Sequence, residues 1–423
     1  MGKNVEKEYI YLLLLFLLSC LHRYFIYVFL ILIFLKMREG SQGFLKICLL
    51  YTLRQCIDFT RVATMTGGQS NLKQILILIA ALWVCVTYLK KRAGKIPRII
   101  LTIAMFGSFA SMSAVFFSSY PLAGAMKVVN FIIVLIAIVL ASIESKELFN
   151  IEQYMFILLT VVMIVSFCVI PYPGAYVNGS VGRLFKGIWN HPNDFGIICA
   201  IYLAILMVHY NKILGKQLVQ MGAIFLMIFL SKSRGAMLAG FIILLVYFMV
   251  CRNIYNRKTL LLVGLLSILL VVITPVGNDL ESFFLKGNLN SNKDIFSSRS
   301  EVIEIAKNRF DSNPICGRGL LIPYISGMRS LSFNIKGIEP GNIFLELLAG
   351  TGIIGLMSFT YLILQIFRKA QGKYKIYPIA IVAASISEVS FFSVNNYGVI
   401  YYMLLSFSIL SFYINKETKN EIL

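Results

Sequence analysis

The sequence predicts an all-α fold: a polytopic bundle of about 12–14 transmembrane helices, with one long extracytoplasmic loop that carries a short amphipathic helix. Three observations predict it. The 423-residue chain is 58% hydrophobic and only 14% charged, against roughly 25% charged in soluble domains. Apolar runs of about 13 to 24 residues recur from end to end, near the length a helix needs to cross a bilayer. Lysine and arginine gather in alternate connections, as they do when one side of a membrane collects positive charge.

Each element follows from an apolar run and the polar connection that ends it. The first run, IYLLLLFLLSCL, follows Lys3 and Lys7 and has the length of a signal peptide, but it has no small-x-small cleavage site. It is therefore read as a helix over 9–21. Further helices are expected near 24–36, 44–57, 72–89, 98–117, 123–143, 151–170, 192–210, 216–231, 233–251, 259–275, 342–367, 376–391 and 396–414. Strands are needed nowhere, and residues 1–423 read as a single integral membrane domain.

The cations orient the bundle. KKRAGKIPR at 90–98, Lys212 with Lys216, Arg252 with Arg257 and Lys258, and Arg368, Lys369, Lys373 and Lys375 fall on one side, which is the cytoplasm by the positive-inside rule. Both termini are then cytoplasmic. Connections 118–122 and 392–395 lack cations and lie outside, as do the two longest, 171–190 and 276–341. The net charge of +20 raises nucleic acid as a partner. The basic residues are spread over membrane-flanking loops with no basic domain to hold a duplex, so nucleic acid is not expected. Eight cysteines follow no metal or disulfide spacing, and no metal site is expected.

One connection opposes the charge rule. Ser231-Lys232-Ser233-Arg234 is an external hairpin carrying two cations. A pair snorkelling into lipid headgroups explains it blandly; position suggests a function. Helices that run inward present N-termini, with free N–H groups and the positive dipole end, to the outer surface, where they attract anions. Three such ends carry unusual polar residues. NHPNDFG at 190–196 offers Asn190 or His191 as a cap with Pro192 in the first turn. SKSRGA at 231–236 offers Ser231 or Ser233 beside Arg234, and EPGNIF at 339–344 leads into an Asn342 cap.

The external loop adds SSRSEVIEIAKNRFDSNP. Ser298 and Glu301 have capping-box spacing, and Asn313-Pro314 ends the helix. At 100° per residue Arg299, Ile303, Ala306 and Phe310 share one stripe, with Glu301 and Glu304 opposite. Arg299 either orients the loop through a carboxylate or joins Arg234, Arg183 and Arg318 in a guanidinium cluster. Arginine suits phosphate because its planar fork donates two hydrogen bonds at once. The expected ligand is a lipid bearing a diphosphate-linked sugar, whose diphosphate leaves readily once its developing charge is neutralised.

These motifs carry a resemblance. The chain resembles the bacterial O-antigen ligase and polymerase family of polytopic glycosyltransferases over about residues 180–370. The matching pieces are the Pro-Asn step of NHPNDFG, the SRGAMLA helix start, RSEVIEIAKNRFDSNPICGRGL, and GNIFLELLAGTGIIG. The family's ligases begin the last piece with His-Asn, His-Ser or His-Gln. Here Gly341 holds the histidine position while Asn342 and Gly352-Ile-Ile-Gly355 keep the register. The departure favours the polymerase branch, which joins lipid-linked repeat units into capsule, O-antigen or exopolysaccharide.

The resemblance implies an inverting transfer that uses no metal or other cofactor, in the bacterial cytoplasmic membrane. It implies an undecaprenyl-diphosphate-linked oligosaccharide and membrane lipid as partners, with flippase and chain-length-regulator proteins beside them. Arg234 and Arg299 are expected to bind the diphosphate, helped by Arg183, Arg318, Asn193 and Asn342, with His191 also on the substrate. Candidate general bases are His191, Asp194, Glu339 and Glu388, Glu339 first. Alternatives are a ligase passing polymer to a lipid or protein acceptor, and a transporter that binds the diphosphate without reacting.

Overall fold

The computed structural model describes residues 3–58, 65, 68–92, 96–145, 148–179, 182–210, 215–250, 300–320 and 341–420. The helix expected over 259–275, most of the 276–341 loop, Ser298, Arg299 and Glu339 lie outside the described residues. In chain order the elements are α1 (Lys3–Ser19), α2 (Arg23–Phe34), α3 (Ser41–Cys56), α4 (Gly68–Lys91), α5 (Arg98–Phe117), α6 (Pro121–Glu144) and α7 (Leu148–Cys168). Strands β1 (Tyr176–Gly179) and β2 (Gly182–Phe185) follow, then α8 (Pro192–His209), α9 (Gly215–Ser231) and α10 (Arg234–Val250). The rest are α11 (Ser300–Ser312), α12 (Ile343–Lys369), α13 (Ile376–Ser385) and α14 (Gly398–Asn420).

Helices dominate because a backbone in lipid satisfies its N–H and C=O groups internally. Among the described residues six helices are long and apolar enough to cross a membrane: α4, α5, α6, residues Ile151–Cys168 of α7, α8 and α12. Their outward side chains are apolar too; Leu101, Met105, Met112 and Phe116 of α5 are all exposed. The chain divides by its contacts into two compact units. The first comprises residues 1–158, 302–371 and 385–423, the second 159–301 and 372–384.

In the first unit α5, α6, α12 and α14 surround an aromatic core. Phe359 lies 5.5 Å from Phe106 and 5.3 Å from Phe391, and Phe131 lies 5.4 Å from Phe392, ring centre to ring centre. Such offset and edge-on pairs each add about 0.5–1.5 kcal/mol beyond the area they bury. The helix α13, expected to run to residue 391, ends at Ser385. Phe391 and Phe392 sit instead in a short 3-10 turn, Ser390–Phe392, whose Phe391 carbonyl accepts a 2.6 Å hydrogen bond from Tyr402. Phe391 and Phe392 join the first unit's rings rather than a helix.

At another place in this unit, charges close a ring. Lys36 and Lys46 each pair with both Glu8 and Glu39, at 2.5–2.9 Å. The ring ties α1 to α3 and to the 3-10 turn Leu35–Glu39 between α2 and α3.

In the second unit α8 is buried along nearly its whole length between α9 and α10. Lys373 donates to the carbonyl of Val208 at 2.5 Å, placing a cation on the C-terminal end of α8, where the helix dipole favours one. This unit also corrects the expectation of no strands. Residues 176–179 and 182–185 pair as an antiparallel hairpin, Tyr176 with Phe185 and Gly179 with Gly182. The sequence YVNGSVGRLF holds the signal: aromatic and β-branched residues flank two glycines and a two-residue connection. Phe185, fully buried, packs edge-on against Phe195 of α8 at 5.4 Å, and Lys186 N–H donates to Ala175 at 2.9 Å. The base of the hairpin is thereby fixed to α8.

Candidate functional site

In the second unit two of the sequence motifs meet. His191 caps α8: its backbone is extended, and Nδ1 accepts a hydrogen bond from Asn193 N–H at 3.2 Å. Pro192 opens the helix without needing a donor, and Asp194 places a carboxylate in the first turn, where the dipole favours it. His191 is exposed, and Asn193 and Asp194 are half-buried.

The α9–α10 turn comes next to this helix start. Ser231 Oγ donates to Ile228 O at 2.7 Å and accepts from Ser233 N–H at 3.3 Å. Ser233 is the N-cap by position, since its carbonyl accepts from Met237 N–H at 3.1 Å, and Arg234 is the first residue of α10. Gly196, the last residue of NHPNDFG, lets the two helix starts approach. A Cβ there would stand 2.7 Å from Ser233 Cβ and 2.8 Å from Ser231 Oγ. Arg183 is exposed on β2, and Arg234 is half-buried.

In the first unit the other two motifs interlock. The helix α12 starts at its expected cap: Asn342 Oδ1 accepts from Phe344 N–H at 2.8 Å and Leu345 N–H at 3.3 Å. Gly341 before it has φ +61°. The helix then breaks where the apolar pattern predicts continuity. Gly352 sits at φ 66°, ψ −165°, a backbone region open essentially to glycine alone.

The break frees backbone groups that the loop after α11 satisfies. Ile353 N–H donates to Pro314 O at 2.9 Å and Ile354 N–H to Ile315 O at 3.4 Å, while Arg318 and Gly319 N–H donate to Ala349 and Gly350 O at 2.9 and 2.8 Å. Ser113 of α5 lies 2.6 Å from Cys316 O and 2.7 Å from Gly350 O, so its one proton is shared by both carbonyls.

This interlock explains the glycines of both motifs. A Cβ on Gly317 would lie 2.3 Å from Gly350 C, and one on Gly352 2.3 Å from Ile315 O. Gly355 makes room for the Thr351 side chain, which a Cβ would meet at 1.8 Å. ICGRGL and AGTGIIG are therefore two halves of one backbone-to-backbone contact.

α11 ends at Ser312, as Asn313-Pro314 predicts. Its Ala306 is buried and its Glu304 exposed, matching the expected faces. Arg309, not singled out by sequence, donates to the carbonyls of Arg318 at 3.1 Å and Gly319 at 3.0 Å. Arg318 is exposed and donates through Nε to Ser312 at 2.8 Å. Its guanidinium thus braces the end of α11. Ser113 and Arg309 escape sequence reasoning because their partners are backbone carbonyls, which carry no residue signature, and those of Ser113 are also remote in the chain.

The second unit holds Arg183, His191, Asn193 and Arg234; the first holds Arg318 and Asn342. Glu388 lies in the irregular stretch after α13, half-buried, rather than on a helix. Arg299 and Glu339 are not among the described residues.

No curated protein matches the chain. Residues 220–360 match a family model described as O-Antigen ligase. That stretch runs from α9 into α12, across the Arg234 turn and the interlocked loop.

Proposed function

We propose that this chain, by that match a member of the O-antigen ligase/polymerase family of multi-pass membrane proteins, is a polysaccharide polymerase. It joins undecaprenyl-diphosphate-linked oligosaccharide repeat units at the outer face of the cytoplasmic membrane. The family match supports a membrane glycosyltransferase-like enzyme and does not separate polymerase from ligase. The observation that carries the polymerase reading is Gly341. The ligases this sequence resembles have histidine there, whereas this residue has no side chain and a left-handed backbone, φ +61°, that side-chain-bearing residues adopt at a cost.

In this reading Arg234 and Arg299 bind the donor diphosphate, and Arg183, Arg318, Asn193 and Asn342 are the further substrate-binding candidates. A hydroxyl of the acceptor repeat unit attacks the anomeric carbon of the donor sugar. The new glycosidic C–O bond forms as the bond to the diphosphate breaks with inversion. The electron pair leaves on undecaprenyl diphosphate, whose added charge the guanidinium groups neutralise. The hydroxyl proton passes to a base, for which Glu339 is the first choice. His191 is the weaker candidate, because its Nδ1 already accepts the helix-capping hydrogen bond.

Purified protein incubated with one lipid-linked repeat unit tests the reading on a gel. A ladder of lengths is expected. A single transfer to an added core acceptor indicates a ligase, and an unchanged substrate under both conditions indicates a transporter. Arg234→Ala or Arg299→Ala is expected to abolish the ladder with expression intact; normal polymer from both rejects their assignment.

A further inference from the structure

Lys232 is the one non-glycine residue with positive φ among the described residues, at φ +52°. It stands just past the last residue of α9, with its N–H on Phe229 O at 2.9 Å. This is the position where helices most often place glycine, since a left-handed backbone crowds any Cβ. A lysine kept in a glycine's conformation invites a reason in its side chain, and the inference runs from that outlier to a role.

The second observation supplies one. A Cβ built on Gly182 of β2 would lie 3.6 Å from Lys232 Nζ. The ammonium therefore reaches from the α9–α10 turn to the first residue of β2, against the bare face of that glycine. The α9 helix itself packs on β2. The hairpin's base is held by Phe185 on Phe195 and by the Lys186–Ala175 hydrogen bond. Gly182 lies beside Lys232, and Arg183, the next residue, is exposed.

We infer that Lys232 is a positioning residue whose side chain holds the start of β2 against the α9–α10 turn and so sets where Arg183 stands. The tether is a property of the fold. Only its catalytic consequence rests on the proposed role of Arg183 in binding the donor.

Two variants separate the side chain from the turn. Lys232→Gly keeps the left-handed turn and removes the ammonium; Lys232→Arg keeps a cation on the same backbone. In detergent-solubilised full-length protein, Lys232→Gly is expected to melt no lower than the wild type. Its amide hydrogen exchange over 176–185 is expected to quicken about tenfold, with α8 and α9 unchanged. Lys232→Arg restores slow exchange.

With the lipid-linked repeat unit as substrate, the donor KM of the glycine variant rises about tenfold at little-changed kcat, and arginine restores it. Native exchange over 176–185 in the glycine variant overturns the tether, as does loss of protection throughout the chain or failure of arginine to restore it. Faster exchange at the hairpin with an unchanged KM keeps the tether and rejects the role of Arg183. A wild type that makes no polymer rejects the proposed function, while the exchange data still decide Lys232.

Discussion

Replacing Gly352 with alanine tests the interlock between α12 and the loop after α11 in the first unit. The added Cβ would stand 2.3 Å from Ile315 O and 2.4 Å from Ile315 C, both backbone atoms that cannot swing aside. The φ of 66° with ψ −165° adds strain of about 1–3 kcal/mol for a residue other than glycine. Pushing the loop away also strips the hydrogen bonds from Ile353 to Pro314 and from Ile354 to Ile315, each worth about 1 kcal/mol net. Together the loss is about 3–5 kcal/mol.

Gly222→Ala in α9 is the control. A Cβ there meets nothing within 4 Å, and alanine is favoured over glycine inside a helix by about 0.5–1 kcal/mol. Unfolding of both variants in detergent, with the rate of thiol labelling at Cys316 as a local probe, measures the difference. Gly352→Ala should unfold far earlier and label faster at Cys316, with Gly222→Ala at or above the wild type. If Gly352→Ala came within about 1 kcal/mol of wild type, the interlock would not hold the break.

Three further outcomes are expected. Ser113→Ala removes the hydroxyl shared by Cys316 and Gly350 and should cost about 1–2 kcal/mol, less than Gly352→Ala because Gly350 O keeps its bond from Gly319; denaturant unfolding measures it. Asn342→Ala uncaps α12, leaving Phe344 and Leu345 N–H without their one shared acceptor, and should cost about 1 kcal/mol, with Asn342→Ser recovering most of it. Alkaline phosphatase fused after residue 233 should be active and at the C-terminus inactive; the reverse pattern would turn the proposed site toward the cytoplasm.

Much of the architecture was legible because the signals are local. Pro192 behind His191 and the Asn342 cap announce helix starts through the hydrogen bonds of the first turn, and the structure puts those starts at Pro192 and Ile343. Asn313-Pro314 stops α11 for the same kind of reason. The break at Gly352 was not legible: LLAGTGIIGL contains no proline and reads as one apolar run. A helix opens there only because a loop from about 35 residues upstream supplies the donors and acceptors that lipid cannot. The hairpin left a readable trace in its paired glycines, but an expectation of helices throughout passed over it.

Hydropathy and end chemistry alone determined that the chain is a multi-pass helical protein and where most of its helices begin, because membrane insertion and capping depend on the residues within each segment. Tertiary structure alone decided that Phe391 and Phe392 join rings of α6 and α12, and that α12 breaks against the Pro314–Gly319 loop. In each case the deciding partner is distant in the chain, and packing against it outweighs the local preference.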